Sequence, residues 1–186
     1  MKYEASKFEI DGPILVAPKV IYDERGFFME SYTKDEFEKL GIKIEFIQDN
    51  HSLSIKNTLR GMHFQKEPYA QSKLVRCITG SILDVAVDIR NDSKTLGKYV
   101  KVVLSSEDKK MLYIPKGFAH GFFVLSDVAE ILYKVDNLYN KGYDSGIIWN
   151  DPELGIDWPV ANPILSEKDR KLQTFADWKK ELGRVE

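Results

Sequence analysis

The chain has 186 residues, 43% of them hydrophobic and 12% aromatic, enough for a sizeable core and too apolar for a disordered polymer. A formal net charge of −2 attracts neither nucleic acid nor an anionic membrane, so any bound anion must be held by locally placed Arg and Lys. The opening "MKYEASKFEI" has no apolar stretch after its charges, and no run approaches the ~18 apolar residues of a membrane span; the expectation is a cytoplasmic protein.

In chain order, "FFMESY" (27–32) predicts the first strand. "TKDEFEKLG" (33–41) predicts a helix, with Thr33 and Glu36 forming a capping box and Gly41 ending it. "IEFIQD" (44–49) and "TLRGMHF" (58–64) predict strands, and the second carries Arg60, Gly61 and His63 within four positions. Simple alternation sends Arg60 and His63 to opposite faces. If they share a ligand, the strand must bulge, and Gly61 permits that; otherwise Arg60 reaches the ligand from the strand end. "KLVRCIT" (73–79) contains the one cysteine, Cys77, among apolar neighbours. No intrachain disulfide is possible, and the thiol reads as a buried strand residue suited to a reducing compartment.

The clearest period-two signal is "SILDVAVDI" (81–89): Leu83, Val85, Val87 and Ile89 on one face, Ile82, Asp84, Ala86 and Asp88 on the other. One face meets a core, and the face with two carboxylates meets a polar interior or solvent. Further strands are predicted at 99–104, 111–114, 121–125 and 129–136, separated by Gly, Pro and Asn-Asp turns. "PELGIDWPVANP" (152–163) reads as a long loop leading to a tail with short helical turns at about 165–182, starting at Ser166. The pattern is that of one all-β domain over 1–186, an antiparallel sandwich or jelly-roll barrel with short peripheral helices.

The chain has three histidines, His51, His63 and His120, in or beside predicted strands. Three histidines on a small barrel raise a metal site, but no pair has a ligand spacing and a structural role is the commoner fate of such residues. Without metal, a histidine is a base near neutral pH, best when a carboxylate orients it. Asp84 and Asp169 are the candidate carboxylates. Tyr133 and Tyr139 are candidate phenolic acids, and Lys73 a cation for a developing oxyanion. Each has a structural alternative: a barrel hydrogen bond for Asp84, strand packing for Tyr133, a solvated strand end for Lys73.

Seven stretches in order, "DERGFFMESY", "FIQDNHS", "TLRGMHFQ", "QSKLVRCITGSILDVAVDIR", "IPKGFAHGF", "LYKVDNLY" and "WNDPELGIDWP…LSEKDRKL", resemble the dTDP-4-dehydrorhamnose 3,5-epimerase family over residues 4–177. The resemblance implies a cupin-type jelly roll, a homodimer, no metal, no cofactor and a dTDP-linked 4-keto-6-deoxyhexose as substrate, epimerised at C3 and C5. It makes His63 the base, Asp169 its paired carboxylate, Tyr133 the acid on the far face of the sugar, and Lys73 the residue at the enolate oxygen. Arg60 matches a phosphate contact. Arg25, Phe28, Glu30, Gln48, Asp49 and Asn50 match residues that hold nucleotide or sugar, with the region of Arg25 and Glu30 coming from the partner subunit. His120 matches a sugar-site residue, Lys168 one near the substrate, Tyr139 a residue that stacks on the ligand, and Asp84 a supporting carboxylate.

Two positions depart from the family pattern. Asp144 stands where a glutamate is common, and its shorter arm predicts a weakened ligand contact. Ser72 stands where a glycine is usual, and its side chain predicts a displaced Lys73 if the backbone there is tight. A relative that epimerises only C3 or only C5, or acts on another nucleotide ketosugar such as a heptose, shares the same motifs. A non-catalytic sugar-nucleotide binder and a metal-dependent cupin are the alternatives from other classes.

Overall fold

The computed structural model describes residues 2–183. In chain order the strands are β1 (Tyr3–Lys7), β2 (Ile14–Pro18), β3 (Ile21–Asp23), β4 (Gly26–Phe28), β5 (Gln48–Ile55), β6 (Leu59–Gln65), β7 (Lys73–Thr79), β8 (Ser81–Asp88), β9 (Tyr99–Ser105), β10 (Met111–Ile114), β11 (Phe118–Val124), β12 (Val128–Val135) and β13 (Asp144–Gly146). Helix α1 (Lys34–Lys39) follows β4, and a 3-10 turn (Asp169–Lys171) precedes helix α2 (Phe175–Glu181). One sheet runs β1-β2-β10-β7-β12-β5, a second runs β13-β6-β11-β8-β9, and β3 and β4 form a separate hairpin. Two antiparallel sheets facing one another across a common interior make a jelly-roll barrel of the cupin type.

β8 shows why the chain layers this way. Ile82 and Ala86 meet Val75, Leu112, Phe122 and Ile131 between the sheets, beside Asp84 and Asp88 on the same face. Its other face, Leu83, Val85 and Val87, lies beneath Leu154, Trp158, Phe175 and Trp178 from the end of the chain. The segment 152–163 is therefore a strap across the outer face of the five-stranded sheet. Each large side chain buried this way contributes ~1.5–3 kcal/mol of transfer free energy, so the strap and the interior both hold the barrel together. A third cluster, including Tyr3, Val16, Leu74 and Met111, covers part of the other sheet's outer face with Phe37 of α1.

Several strand limits differ from the sequence reading. Of 27–32 only Phe27 and Phe28, the end of β4, are strand, and the strand expected at 44–49 instead starts at Gln48 and runs to Ile55. β5 turns Gln48, Asn50, Ser52 and Ser54 inward and leaves Leu53 and Ile55 exposed, an inverted pattern that apolar periodicity does not detect. The strands β1, β2, β3 and β13 were not anticipated either; they are short or lie among turn residues. The capping box at α1 does not form. Thr33 donates its hydroxyl to Glu30 and lies against the Tyr3 hydroxyl, while Glu36 pairs with Lys39.

The facing of Arg60 and His63 is settled by a bulge. His120 stands opposite His63 and Phe122 opposite Arg60, so Gly61 and Met62 together face the single residue Gly121. The extra residue reverses the alternation and turns both Arg60 and His63 inward, while Leu59, Met62 and Phe64 pack under the strap. Gly61 has φ +133°, and a Cβ there would lie 2.4 Å from the Gly121 Cα and 2.9 Å from the His120 oxygen. Gly61→Ala is expected to destabilise the protein by roughly 2–4 kcal/mol in urea denaturation, through backbone strain and overpacking. A loss of activity in the fraction that still folds should accompany it.

Candidate active site

The interior collects polar side chains from both sheets. β6 supplies Arg60 and His63, β7 supplies Lys73, β8 supplies Asp84, β11 supplies His120, and β12 supplies Tyr133 opposite Asn50 of β5. Asp144 on β13 stands beside Gln65 of β6.

His63 Nε2 lies 2.6 Å from Asp169 Oδ1, joining residues 106 apart in sequence. The 3-10 turn brings Asp169 to this place: its amide donates to Ser166 Oγ at 3.0 Å, so the start signal at Ser166 serves the site. Asp169 is 2% exposed, whereas the His63 side chain keeps 31% of its surface open to solvent. Burial alone would raise the Asp169 carboxyl. Hydrogen bonds from His63, the Gly61 amide and Ser166, with the field of His63, outweigh it and hold the group below the usual carboxylate range. An anionic Asp169 accepts a hydrogen bond from Nε2–H, so Nδ1 is the ring nitrogen left without a carboxylate partner.

Lys73 is buried, and burial pushes its ammonium down to about 8 against the opposing fields of Asp84 and Asp144. Its Nζ lies 3.4 Å from His120 Nδ1, and His120 Nε2 lies 2.7 Å from Asp84 Oδ1. Tyr133 is half-buried against the interior cluster, and burial raises its phenol above the usual range, partly offset by Arg60. Arg60 sits at the mouth and donates from Nε to Ser54 Oγ at 3.0 Å and from Nη2 to the Leu53 carbonyl. Nearby, Gln48 donates to Asn50 at 2.8 Å. Ser54, which aims Arg60, was missed in the sequence because a serine in a polar strand carries no signal of its own.

At the rim, Asp144 accepts hydrogen bonds from Tyr139, 58% exposed, and from Lys168. Its aspartate arm therefore still gathers both residues expected near the ligand. Ser72 is buried, takes Asp136 Oδ1 on its amide at 2.6 Å and hydrogen-bonds Tyr113, while Lys73 remains against His120.

Other expected residues are not brought to the interior. Asp49 alternates to the outer face and pairs with Lys134 at 2.9 Å within the chain. His51 faces the same way, 3.6 Å from Glu130, and the three histidines do not converge. Among the described residues no group of three or more His, Cys, Asp or Glu is placed to hold a metal ion. Arg25 pairs with Asp23, Glu30 with Lys2, and Phe28 is 65% exposed, all on or beside the β3–β4 hairpin. Within one chain they make no part of the interior cluster.

The barrel and its inward-facing polar set define a cupin-type fold with a polar interior site. Residues 7–177 match the family model for dTDP-4-dehydrorhamnose 3,5-epimerase, and the chain belongs to that family. It is 57% identical over 172 residues to the dTDP-4-dehydrorhamnose 3,5-epimerase of Shigella flexneri, covering 92% of this chain and 95% of the relative. A crystal structure of the Legionella pneumophila dTDP-6-deoxy-D-glucose-3,5-epimerase in complex with dTDP-4-keto-L-rhamnose superposes with a TM-score of 0.92 at 43% identity, covering 97% of this chain and 96% of that one. A 3′-monoepimerase from Streptomyces bikiniensis in complex with dTDP-quinovose is similar at 30% identity, TM-score 0.88, with 96% and 90% coverage.

Because the Asp169 carboxyl is depressed in the folded state, the stability it contributes is present above its unfolded value near 4 and is lost as pH falls through the folded value. Urea midpoints of wild type and Asp169→Asn, compared between pH 7 and pH 3, are expected to show wild type losing stability relative to the variant on acidification. A constant difference would remove this assignment.

Proposed function

We propose that the chain epimerises C3 and C5 of a dTDP-linked 4-keto-6-deoxyhexose, converting dTDP-4-dehydro-6-deoxy-D-glucose to dTDP-4-dehydro-L-rhamnose. The observation that carries the reading is the short His63–Asp169 bond, facing an interior that also holds Lys73 and Tyr133. The 4-keto group acidifies the protons on C3 and C5. His63 Nδ1 takes one of them as the C–H bond breaks, the electron pair moves onto the carbonyl oxygen, and Asp169 stabilises the imidazolium. Lys73 stabilises the enolate oxygen. Tyr133 donates its phenolic proton to the opposite face of the carbon, the carbonyl re-forms, and solvent exchange restores both groups. The ketone is the electron sink, so this route calls on no cofactor or metal.

Arg60, held by Ser54, would take the pyrophosphate through its paired N–H donors, since a guanidinium matches phosphate oxygens bidentately. Gln48 and Asn50 would hold the nucleotide or sugar, with Tyr139, Asp144 and Lys168 at the rim against the nucleoside. The remaining contacts, Arg25, Phe28 and Glu30, would come from a second subunit. Ile21, Tyr22, Phe27 and Phe28 are more than half exposed on one small hairpin, which supports burial against a partner. The Arg76 side chain, half-buried on the outer face of β7 with an unpartnered Nε, supports the same reading. The lone, free, buried Cys77 supports a reducing, cytoplasmic setting.

Turnover in deuterated water is expected to label both C3 and C5; exchange at C3 alone would make the chain a 3-epimerase. His63→Ala is expected to lose activity ~10²–10⁴-fold, and full turnover by that variant would remove His63 as the base. Arg25→Ala and His63→Ala should each be nearly inactive. Mixing them after subunit exchange should restore part of the activity, because one site of a heterodimer is then intact. No recovery would place Arg25 and His63 in the same chain's site.

A further inference from the structure

Asp84 is 0% exposed, and only one of its carboxylate oxygens is satisfied: Oδ1 meets His120 Nε2 at 2.7 Å, while Oδ2 has no partner. A buried carboxylate with an empty oxygen is costly, and strand packing gives no reason to keep it. The apolar residues around it, Ile82, Ala86 and Phe122, already fill the interior on either side. What Asp84 does impose is direction. An ionised carboxylate only accepts, so His120 must present Nε2–H to it, and the neutral ring then has a bare lone pair at Nδ1. That nitrogen faces Lys73 Nζ at 3.4 Å.

Resting on the epimerase reading for the role of Lys73, we propose that Asp84 and His120 act as positioning residues: Asp84 sets the His120 tautomer and supplies the counter-charge that keeps Lys73 an ammonium aimed at the enolate oxygen. His120 stands between Lys73 and Asp84, so the carboxylate does not compete with substrate for the Lys73 protons. The charged and titratable groups around this chain are Asp84 on β8, His63 on β6, Asp144 on β13 and Lys168 beyond it. Asp84 is the largest of the influences that offset the burial of Lys73, and it also opposes the burial that keeps His120 neutral.

Two measurements test the relay. In the Asp84→Asn variant, which keeps size and an acceptor but loses the charge, the alkaline limb of the kcat profile for the 4-ketose should move about one pH unit or more toward acid. KM should change less than kcat. An unmoved limb would overturn the proposal, since a merely structural Asp84 lowers activity equally at every pH. The second readout needs neither a variant nor a substrate: nitrogen-15 NMR of the wild-type protein at neutral pH should find the His120 proton on Nε2 and Nδ1 bare. A proton on Nδ1 overturns the relay whether or not the epimerase reading stands. Failure of the wild type to turn over the 4-ketose would sink that reading alone.

Discussion

Two residues of β6 stand opposite one residue of β11, and the facing of both Arg60 and His63 follows from that count. Without the extra residue, Arg60 and His63 would lie on opposite faces, one in the barrel and one beneath the strap. With it, both point inward, and the Gly61 amide is free to reach Asp169. The constraint runs outward as well. Met62 and Phe64 are turned into the cluster under Trp158 and Trp178, so the same bulge that orients His63 also anchors the C-terminal strap. The strap carries on to the 3-10 turn that holds Asp169. Backbone irregularity, packing and the His63–Asp169 bond are one coupled arrangement.

Charge inside this barrel is tolerated because each group is answered by another. A buried ammonium or carboxylate costs several kcal/mol unless partnered, and the interior solves this with pairs across strands rather than within them. His63 meets Asp169 from the tail, Lys73 of β7 meets His120 of β11, and His120 meets Asp84 of β8. The effects differ in sign along the set. Asp169 is held anionic, Lys73 is loosened to about 8, and Tyr133 keeps its proton more firmly than a phenol in water. Under the proposed epimerisation, an anionic partner for the base, a cation for the oxyanion and a protonated phenol are the states that enolate chemistry asks of these three groups.

Much of the fold was legible in the sequence. The alternation of 81–89 placed Asp84 and Asp88 on one face and an apolar stripe on the other, because a strand offers only two directions. Its polar face proved to be the barrel interior, and its apolar face lay under the strap rather than between the sheets. The limits of β5 were misread because its inward face is built of Gln48, Asn50, Ser52 and Ser54, the inverse of the pattern that marks a strand. Asp49, next to two inward residues in sequence, is outward by the same alternation.

The chain's residue types and their order settled its class, its sheets and the identity of the groups around the site, since strand propensity, turn chemistry and family motifs are all local properties. Which of those groups meet was decided by tertiary structure alone. His63 and Asp169 are 106 residues apart, and Lys73 and His120 are 47 apart. No local rule brings such positions within hydrogen-bond distance. The bulge at Gly61 shows the boundary between the two: the glycine permits it, but only the pairing with β11 says that it occurs.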